Sequence, residues 1–430
     1  MASPVNPPRG MRDFLPADKA RREHALGIIR GVYRSHGFDE IETPVVEEHG
    51  RLHSGLGGDN EKLSFSILKR GIKPEVLDAA AAAGDPEQLA DLGLRFDLTV
   101  PLARYYATHR AELPPVFRAI QIAPVWRAER PQKGRYRQFV QADIDIIGEA
   151  GVLAEVELIT ATSQALAELG LSGCVIRVND RRILFGLLSE IGLDAEHHNR
   201  ALITIDKLDK IGVDGVTAEL AETDPAAAEK LRGVLEGVGP ALAAGIPVSR
   251  ESIEAVLPAL AENDGIENLA TLGSALQGGL PEGVEIHFDP TLVRGMGYYT
   301  GTIFEIAHPG SGSSVGGGGR YDGMIGRFLG RNVPAVGFSI GFERVVDLIA
   351  IDDNAGPEAV VLVTDADTPL DELMAIKRDL VAQGKRVRIE KRQKNMKTLL
   401  ARVAAEGFTA FANVSTGTDS GSLNWRELAD

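Results

Sequence analysis

Apolar residues recur at helical spacing over residues 19–36, where Ala25, Leu26, Ile28, Ile29, Val32 and Tyr33 form one stripe and Gly37 supplies a stop. The pattern then changes to alternation in DEIETPVVEE, interrupted by Pro44. Proline cannot donate to a strand ladder, so this segment predicts a sheet edge or an interface. Residues 74–92 predict a helical surface insertion, and LGLRFDLTVPLARYYA a strand turning into a helix. VFRAIQIAPVW and QADIDIIG predict two strands, residues 151–169 a helix and CVIRVND a further strand. From 183 to 282 the chain is rich in Ala, Leu, Glu and Asp at helical periodicity, which predicts a helical insertion. Strands resume with VEIHFDP and GTIFEIAHP. The glycine-dense GSGSSVGGGGRYDG reads by itself as a flexible loop, and AVGFSIGFERVVDLIA as a strand entering a helix.

After the linker-like DDNAGP the pattern changes again. AVVLVT, a helix over 369–383, RVRIEK, a helix over 394–405 and FTAFANV alternate strand and helix, which predicts a small α/β domain with a parallel sheet. A chain of 430 residues is long enough for two or three domains. The expected division is a core in two parts, 1–182 and 283–352, a helical insertion at 183–282 and an α/β domain at 357–430.

Composition narrows the class. With 44% apolar and 25% charged residues the chain reads as an ordinary globular protein. The single cysteine, Cys174, excludes a disulfide within the chain and a cysteine-based metal site, and fits a reducing compartment. The N-terminus lacks an apolar signal region and no run is long enough to span a membrane, so a cytoplasmic location is expected. A formal charge of -15 argues against indiscriminate nucleic-acid binding.

Against that charge stands VWRAERPQKGRYRQFVQADID, where Arg127, Arg130, Lys133, Arg135 and Arg137 crowd one loop. Guanidinium groups suit phosphate through paired, charge-assisted hydrogen bonds. Arg127 follows an apolar strand, so its head should project over a sheet. Gln141, Asp143 and Asp145 alternate, which places them on one strand face. Cations and acceptors over one sheet face suit a ligand with both phosphate and amine groups. Other signals are weaker. Gly310-Ser311-Gly312 begins a GxGxxG whose third glycine is replaced by Val315. No histidine falls in HExxH, so no metal ligand is expected from the histidines, and no GxSxG or Walker A loop occurs. Arg294 and Arg344, each taken alone, read as ion-paired surface arginines. A second basic run, from Lys377 to Arg402, sets ten Lys or Arg against two acids.

Together these segments resemble the histidyl-tRNA synthetases, a class II aminoacyl-tRNA synthetase family. RGMRDFLP is similar to the family's N-terminal signature, ETPVVEE to motif 1, VWRAERPQKGRYRQFVQADIDIIG to motif 2 and AVGFSIGFERV to motif 3. LVRGMGYYTGTIFE and GGRYDG resemble the two histidine-specific motifs, and RVNDRRIL and DKLDKIG match as well. The resemblance spans nearly the whole chain.

It implies an α+β fold: a six-stranded antiparallel catalytic sheet, a helical insertion and a C-terminal α/β domain of the anticodon-binding type. It implies a homodimer through motif 1, and ATP, L-histidine and tRNA(His) as partners, with Mg²⁺ bound with the ATP. Catalysis would rest on Arg127, Arg294 and Arg344. Arg127 would hold the α-phosphate and the carboxylate, Arg344 the γ-phosphate, and Arg294 the charge developing at the α-phosphorus. Glu129 would meet the adenine and Arg135 a terminal phosphate. Asp97, Leu98, Thr99 and Gln141 would line the amine site, and Asp145 with Tyr298 or Tyr299 the imidazole site. Arg130 and Gln132 would face the tRNA acceptor end. Gly297 departs from the aspartate usual between the arginine and the tyrosine pair, and the C-terminal domain looks shorter than usual. A regulatory relative, the synthetase-like subunit of ATP phosphoribosyltransferase, shares the fold and is the alternative reading.

Overall fold

The computed structural model describes residues 5–53, 63–131, 134–294, 297–349 and 358–428. The chain forms two compact units, Met1–Asp13 with Arg22–Ile349, and Phe14–Arg21 with Ala350–Asp430. The expected linker, 352–357, lies outside the described residues.

In the larger unit the strands run β1 (Asp39–Glu40), β2 (Val46–Glu48), β3 (Phe65–Leu68), β4 (Ala90–Leu94), β5 (Phe117–Trp126), β6 (Gln138–Ile147), β7 (Cys174–Asp180), β8 (Val284–Phe288), β9 (Thr302–Ala307), β10 (Gly316–Arg320) and β11 (Ala335–Gly341). Eight of them form one sheet in the order β1-β5-β6-β11-β10-β9-β7-β8, and β2-β4-β3 form a small separate sheet. The six strands from β5 to β7 in that order pair antiparallel throughout. β1 and β8 add parallel edges, so the six-stranded antiparallel sheet is the centre of a larger one. β1 lies at the rim, and Pro44 falls between β1 and β2 where no ladder bond is required of it. Buried Arg95 satisfies the carbonyls there, donating to Thr43 O at 2.8 Å and, through Nε, to Pro124 O at 3.0 Å.

Two expectations change. The glycine run is no loop: Gly316–Arg320 is a central strand, paired on both sides. The reason is steric, since a Cβ on Gly318 would come within 2.0 Å of Gly337 O. Residues 74–92 are only partly helical. Helix Pro74–Ala83 and a 3-10 turn at Pro86–Leu89 lead into β4, whose ladder with β2 and β3 overrides local helical preference.

Helices Arg181–Glu190, His198–Ile205, Leu208–Ala221, Pro225–Ala244, Arg250–Val256 and Asp264–Leu276 occupy the predicted helical stretch. The Leu208–Ala221 helix kinks at Gly212, whose φ of 67° suits glycine. Asp224 caps Pro225–Ala244 by accepting from two backbone N–H groups. The last helix packs on the core, against β7 and helix Leu153–Glu168, and buries Leu269 and Leu272 completely.

The smaller unit places β12 (Ala359–Thr364) between parallel β13 (Arg386–Lys391) and β14 (Ala410–Val414). A two-residue strand that the sequence pattern does not predict, β15 (Arg426–Glu427), closes the β14 edge antiparallel. Alternation along β12 turns Val361 and Val363 to helix Met396–Ala405 and Leu362 to helix Leu370–Ala382, giving one core on each face. Of the ten basic residues, Lys385, Arg388, Arg392 and Arg402 pair with Glu358, Glu390, Glu406 or Asp365, which reduces the free positive field.

One buried carboxylate ties the site's supports together. Glu343, 6% exposed on the helix Phe342–Leu348, accepts from Arg22 at 2.6 and 2.7 Å, from Arg12, and from the Val140 N–H of β6 at 3.1 Å. Arg12 also lies 3.5 Å over the Tyr136 ring, and Gly10 O accepts from Arg137 N at 2.8 Å. The N-terminal segment therefore holds both the β5–β6 loop and the helix after β11. Removing one partner of such a buried network leaves charge uncompensated. Glu343→Gln should lower stability by about 3–5 kcal/mol in urea unfolding; a loss under about 1 kcal/mol, the range of an exposed ion pair, would show that the network is not structural.

Candidate active site

The hairpin β5–β6 and its neighbour β11 form the floor of a cavity of about 1370 Å³. This exceeds a typical small-molecule pocket and has room for more than one ligand. Asp97, Thr99, Arg127, Glu129, Arg130, Arg135, Gln141, Asp145, Arg294, Tyr298, Tyr299 and Arg344 all line it. Leu98 is buried beside it, and its carbonyl accepts from Gln121 at 3.0 Å. Gln132 lies outside the described residues.

The acidic end is buried. Asp97 accepts from Val100 N at 3.2 Å, and its second oxygen has no partner among the described residues. Burial raises its pKa to about 6, with the Val100 N–H and then the Arg127 cation opposing. Asp143 is raised well above the carboxylate range by burial and then by the nearby Asp145 charge. Asp145 is raised to about 7 by burial, offset in part by the Tyr321 hydroxyl that donates to it at 2.6 Å. Gln141 donates to Asp143 at 3.2 Å and keeps its carbonyl oxygen unpartnered. Tyr321 is absent from the residues that the motifs nominate for this corner. Tyr298 and Tyr299, nominated with Asp145 for the imidazole, line the same cavity, and the tyrosine of GGRYDG adds a direct partner for Asp145. Tyr298 packs edge-on to Tyr321, with centroids 6.1 Å apart.

The cationic end is held by neutral groups. Arg127 donates Nε to Phe96 O at 2.9 Å and stacks over Phe139 at 5.1 Å, while its terminal nitrogens meet no acceptor among the described residues. Arg344 donates to the Ser314 carbonyl. Burial lowers its pKa, and then repulsion from Arg135 does so further. Arg135 and Glu129 approach to 3.2 Å without hydrogen-bond alignment, so that pair is a loose contact of a half-exposed side chain. Arg130 is exposed at the rim. Two neighbouring cations, Arg344 on a backbone carbonyl and Arg135 in loose contact with Glu129, favour an anion between them.

Arg294 sits apart from these. It donates to Glu305 at 2.8 Å, and Glu305 also binds Arg177, which reaches Asp289 at 3.2 Å. Burial disfavours the Arg294 cation, but its acidic surroundings outweigh that and raise its pKa. Glu305, Arg177 and Asp206 are further residues of the cavity that motif matching does not nominate. They fall inside or beside TIFE, RVND and DKLDKIG, so charged residues within the matched motifs are the available signal. Gly297 is exposed, and a Cβ there would meet open space. Nothing in the described fold requires glycine at that position.

A Histidyl-tRNA synthetase profile matches residues 10–345. A histidine–tRNA ligase of Leifsonia xyli subsp. xyli is 64% identical over 431 residues, covering all of both chains. The chain belongs to the histidyl-tRNA synthetase family. Among solved structures, histidyl-tRNA synthetase from Nostoc sp. PCC 7120 aligns with a TM-score of 0.76 at 25% identity, over all of this chain and 97% of that one. An ATP phosphoribosyltransferase regulatory subunit/histidyl-tRNA synthetase from Bacillus halodurans also aligns at 0.76, over 97% of this chain and 99% of that one. Its 21% identity speaks to the fold alone.

The raised carboxyls bind their protons more tightly folded than unfolded, so their contribution stabilises at low pH and is lost as pH rises. For Asp145 that window runs from 3.8 to about 7. The stability difference between wild type and Asp145→Asn, from urea unfolding of ligand-free protein, should fall as pH rises across it. A difference that stays flat would contradict a neutralised, buried Asp145.

Proposed function

We propose that the chain is a histidine–tRNA ligase that activates L-histidine with ATP and passes the histidyl group to tRNA(His). One observation carries this reading: a single cavity joins buried, under-partnered acceptors at one end to Arg127 and Arg344, which have no acidic partner among the described residues, at the other. An amino acid adenylate in formation needs both, acceptors for the ammonium and imidazole N–H and cations for the phosphates and carboxylate.

In the first step the histidine carboxylate oxygen attacks the α-phosphorus and pyrophosphate leaves, giving histidyl-adenylate. The protein's part is positioning and electrostatic stabilisation. Arg127 lies between the acid cluster and the loop and suits the carboxylate and α-phosphate together. Arg344 and Arg135, repelling each other across a gap, suit the terminal phosphates, and Glu129 the adenine amine. Arg294, already neutralised by Glu305, suits charge that develops only in the transition state. Mg²⁺ would enter with the phosphates, its usual ligands. Asp97, Thr99 and Gln141 accept the ammonium, while Asp145, held by Tyr321, takes the imidazole together with Tyr298 or Tyr299. A ligand lacking a ring N–H would leave Asp145 buried with only the Tyr321 hydroxyl as partner, which makes the site selective. In the second step a terminal ribose hydroxyl of the tRNA attacks the histidyl carbonyl and AMP leaves, with Arg130 at the exposed rim meeting the incoming strand. Dimerisation through the segment around Pro44 and a cytoplasmic location belong to the same proposal. Among the described residues no helix is long and apolar enough to cross a membrane.

Histidine-dependent ATP–pyrophosphate exchange by the purified protein tests the activity. Exchange is expected with histidine, and its absence would favour the regulatory-subunit reading instead. Arg294→Ala should lower the exchange rate by about 10²–10³-fold, the loss seen when one preorganised transition-state donor is removed, with a much smaller change in histidine affinity. Glu305 keeps Arg177 as a partner, so the fold should survive. Equal losses in rate and affinity would assign Arg294 to ground-state binding.

A further inference from the structure

Away from the cavity, HGRLH keeps the i, i+4 histidine spacing of a helical zinc motif without that motif's glutamate, which is why the HExxH test passes over it. His49 opens the short helix His49–Leu52 and His53 is its C-cap, and the two rings stack with centroids 4.0 Å apart. A carboxylate arrives from another part of the chain. Glu87 stands on the 3-10 turn Pro86–Leu89, in the surface insertion that the family resemblance leaves without a role. One ligand atom from each of the three residues lies within 4.8 Å of the others.

We propose that His49, His53 and Glu87 bind a divalent transition-metal cation of the zinc class and so fasten the insertion to the helix that follows β2. The donor set is chemically apt: imidazole and carboxylate both suit Zn²⁺, and three protein ligands leave one position for water. The tautomer of His53 is fixed. Its Nδ1 lies 3.0 Å from the His49 carbonyl, which can only accept, so Nδ1 carries the proton and Nε2 the lone pair. A ring nitrogen oriented in this way by a backbone carbonyl is the usual support of a metal-bound histidine. That lone pair now receives the Ser64 hydroxyl at 2.9 Å. His49 Nε2 meets Glu87 directly, and the Ser66 hydroxyl lies 3.3 Å from His49 and 3.2 Å from Glu87. Tetrahedral zinc at normal bond lengths sets its ligand atoms about 3.4 Å apart, so binding draws the three groups together and turns the two imidazole rings out of their stack.

Untagged, full-length protein stripped with EDTA and titrated with Zn²⁺ by calorimetry tests this, with Co²⁺ absorption reporting the ligand geometry. The expected result is one equivalent bound, with affinity weakened about tenfold or more by Glu87→Gln and by His53→Gln, and unchanged by His197→Gln. Zn²⁺ should raise the melting temperature of the wild type and not of Glu87→Gln. Glu87 is exposed, so its variant carries the test if a histidine substitution disturbs the helix. Uptake below one equivalent, or uptake that survives Glu87→Gln, would overturn the site.

Discussion

Along the β6–β11 ladder Gly337 lies opposite Asp145, Ser339 opposite Asp143 and Gly341 opposite Gln141, and the chemistry of the cavity depends on that register. A Cβ on Gly337 would come within 2.0 Å of the Asp145 carboxyl. Glycine at this position is what allows the carboxyl to turn down onto the sheet and take the Tyr321 hydroxyl. A slip of one residue would send the polar face of β6 into the helices behind it and the isoleucines into the cavity. The central glycine strand serves the same end on the other side. A Cβ on Gly317 would approach the Arg294 guanidinium at 2.9 Å, and one on Gly319 would approach Tyr299 at 2.8 Å.

With that floor fixed, the electrostatics separate along the cavity. Burial raises the pKa of Asp97, Asp143 and Asp145, which lowers the mutual repulsion of three acids sharing a small volume. Arginines cannot shed charge in this way. They are instead placed where carbonyls or a ring face, or in the case of Arg294 and Arg135 a carboxylate, keep them solvated. A chain of net charge -15 thus carries a strongly cationic pocket mouth without becoming a general polyanion binder.

The scaffold that holds these groups is itself polar at its centre. Glu343 links the N-terminal segment, the long first helix, β6 and the helix bearing Arg344, so parts of the chain more than three hundred residues apart share one buried network. The N-terminal segment, which the sequence pattern alone would leave as an irregular lead-in, thereby positions the β5–β6 loop through Arg137 and Tyr136.

Much was legible in the chain itself. Apolar periodicity located most of the helices and strands of both units, because burial of one face imposes the 3.6 and 2.0 spacings locally. The alternation of Gln141, Asp143 and Asp145 correctly placed all three on one face, and the arginine-rich motifs named the residues that line the cavity. What pattern could not supply was anything set by contact between distant segments. GGGG reads as a loop because glycine has low strand propensity, and only two flanking strands that exclude a Cβ make it a strand. The bond from Tyr321 to Asp145 follows from the approach of β10 to β6 across β11. The pairing of Glu343 with Arg12 and Arg22, and of Glu87 with His49, likewise arises only when the chain closes on itself. Local spacing encodes which side of an element a residue takes, and tertiary packing decides what it meets there.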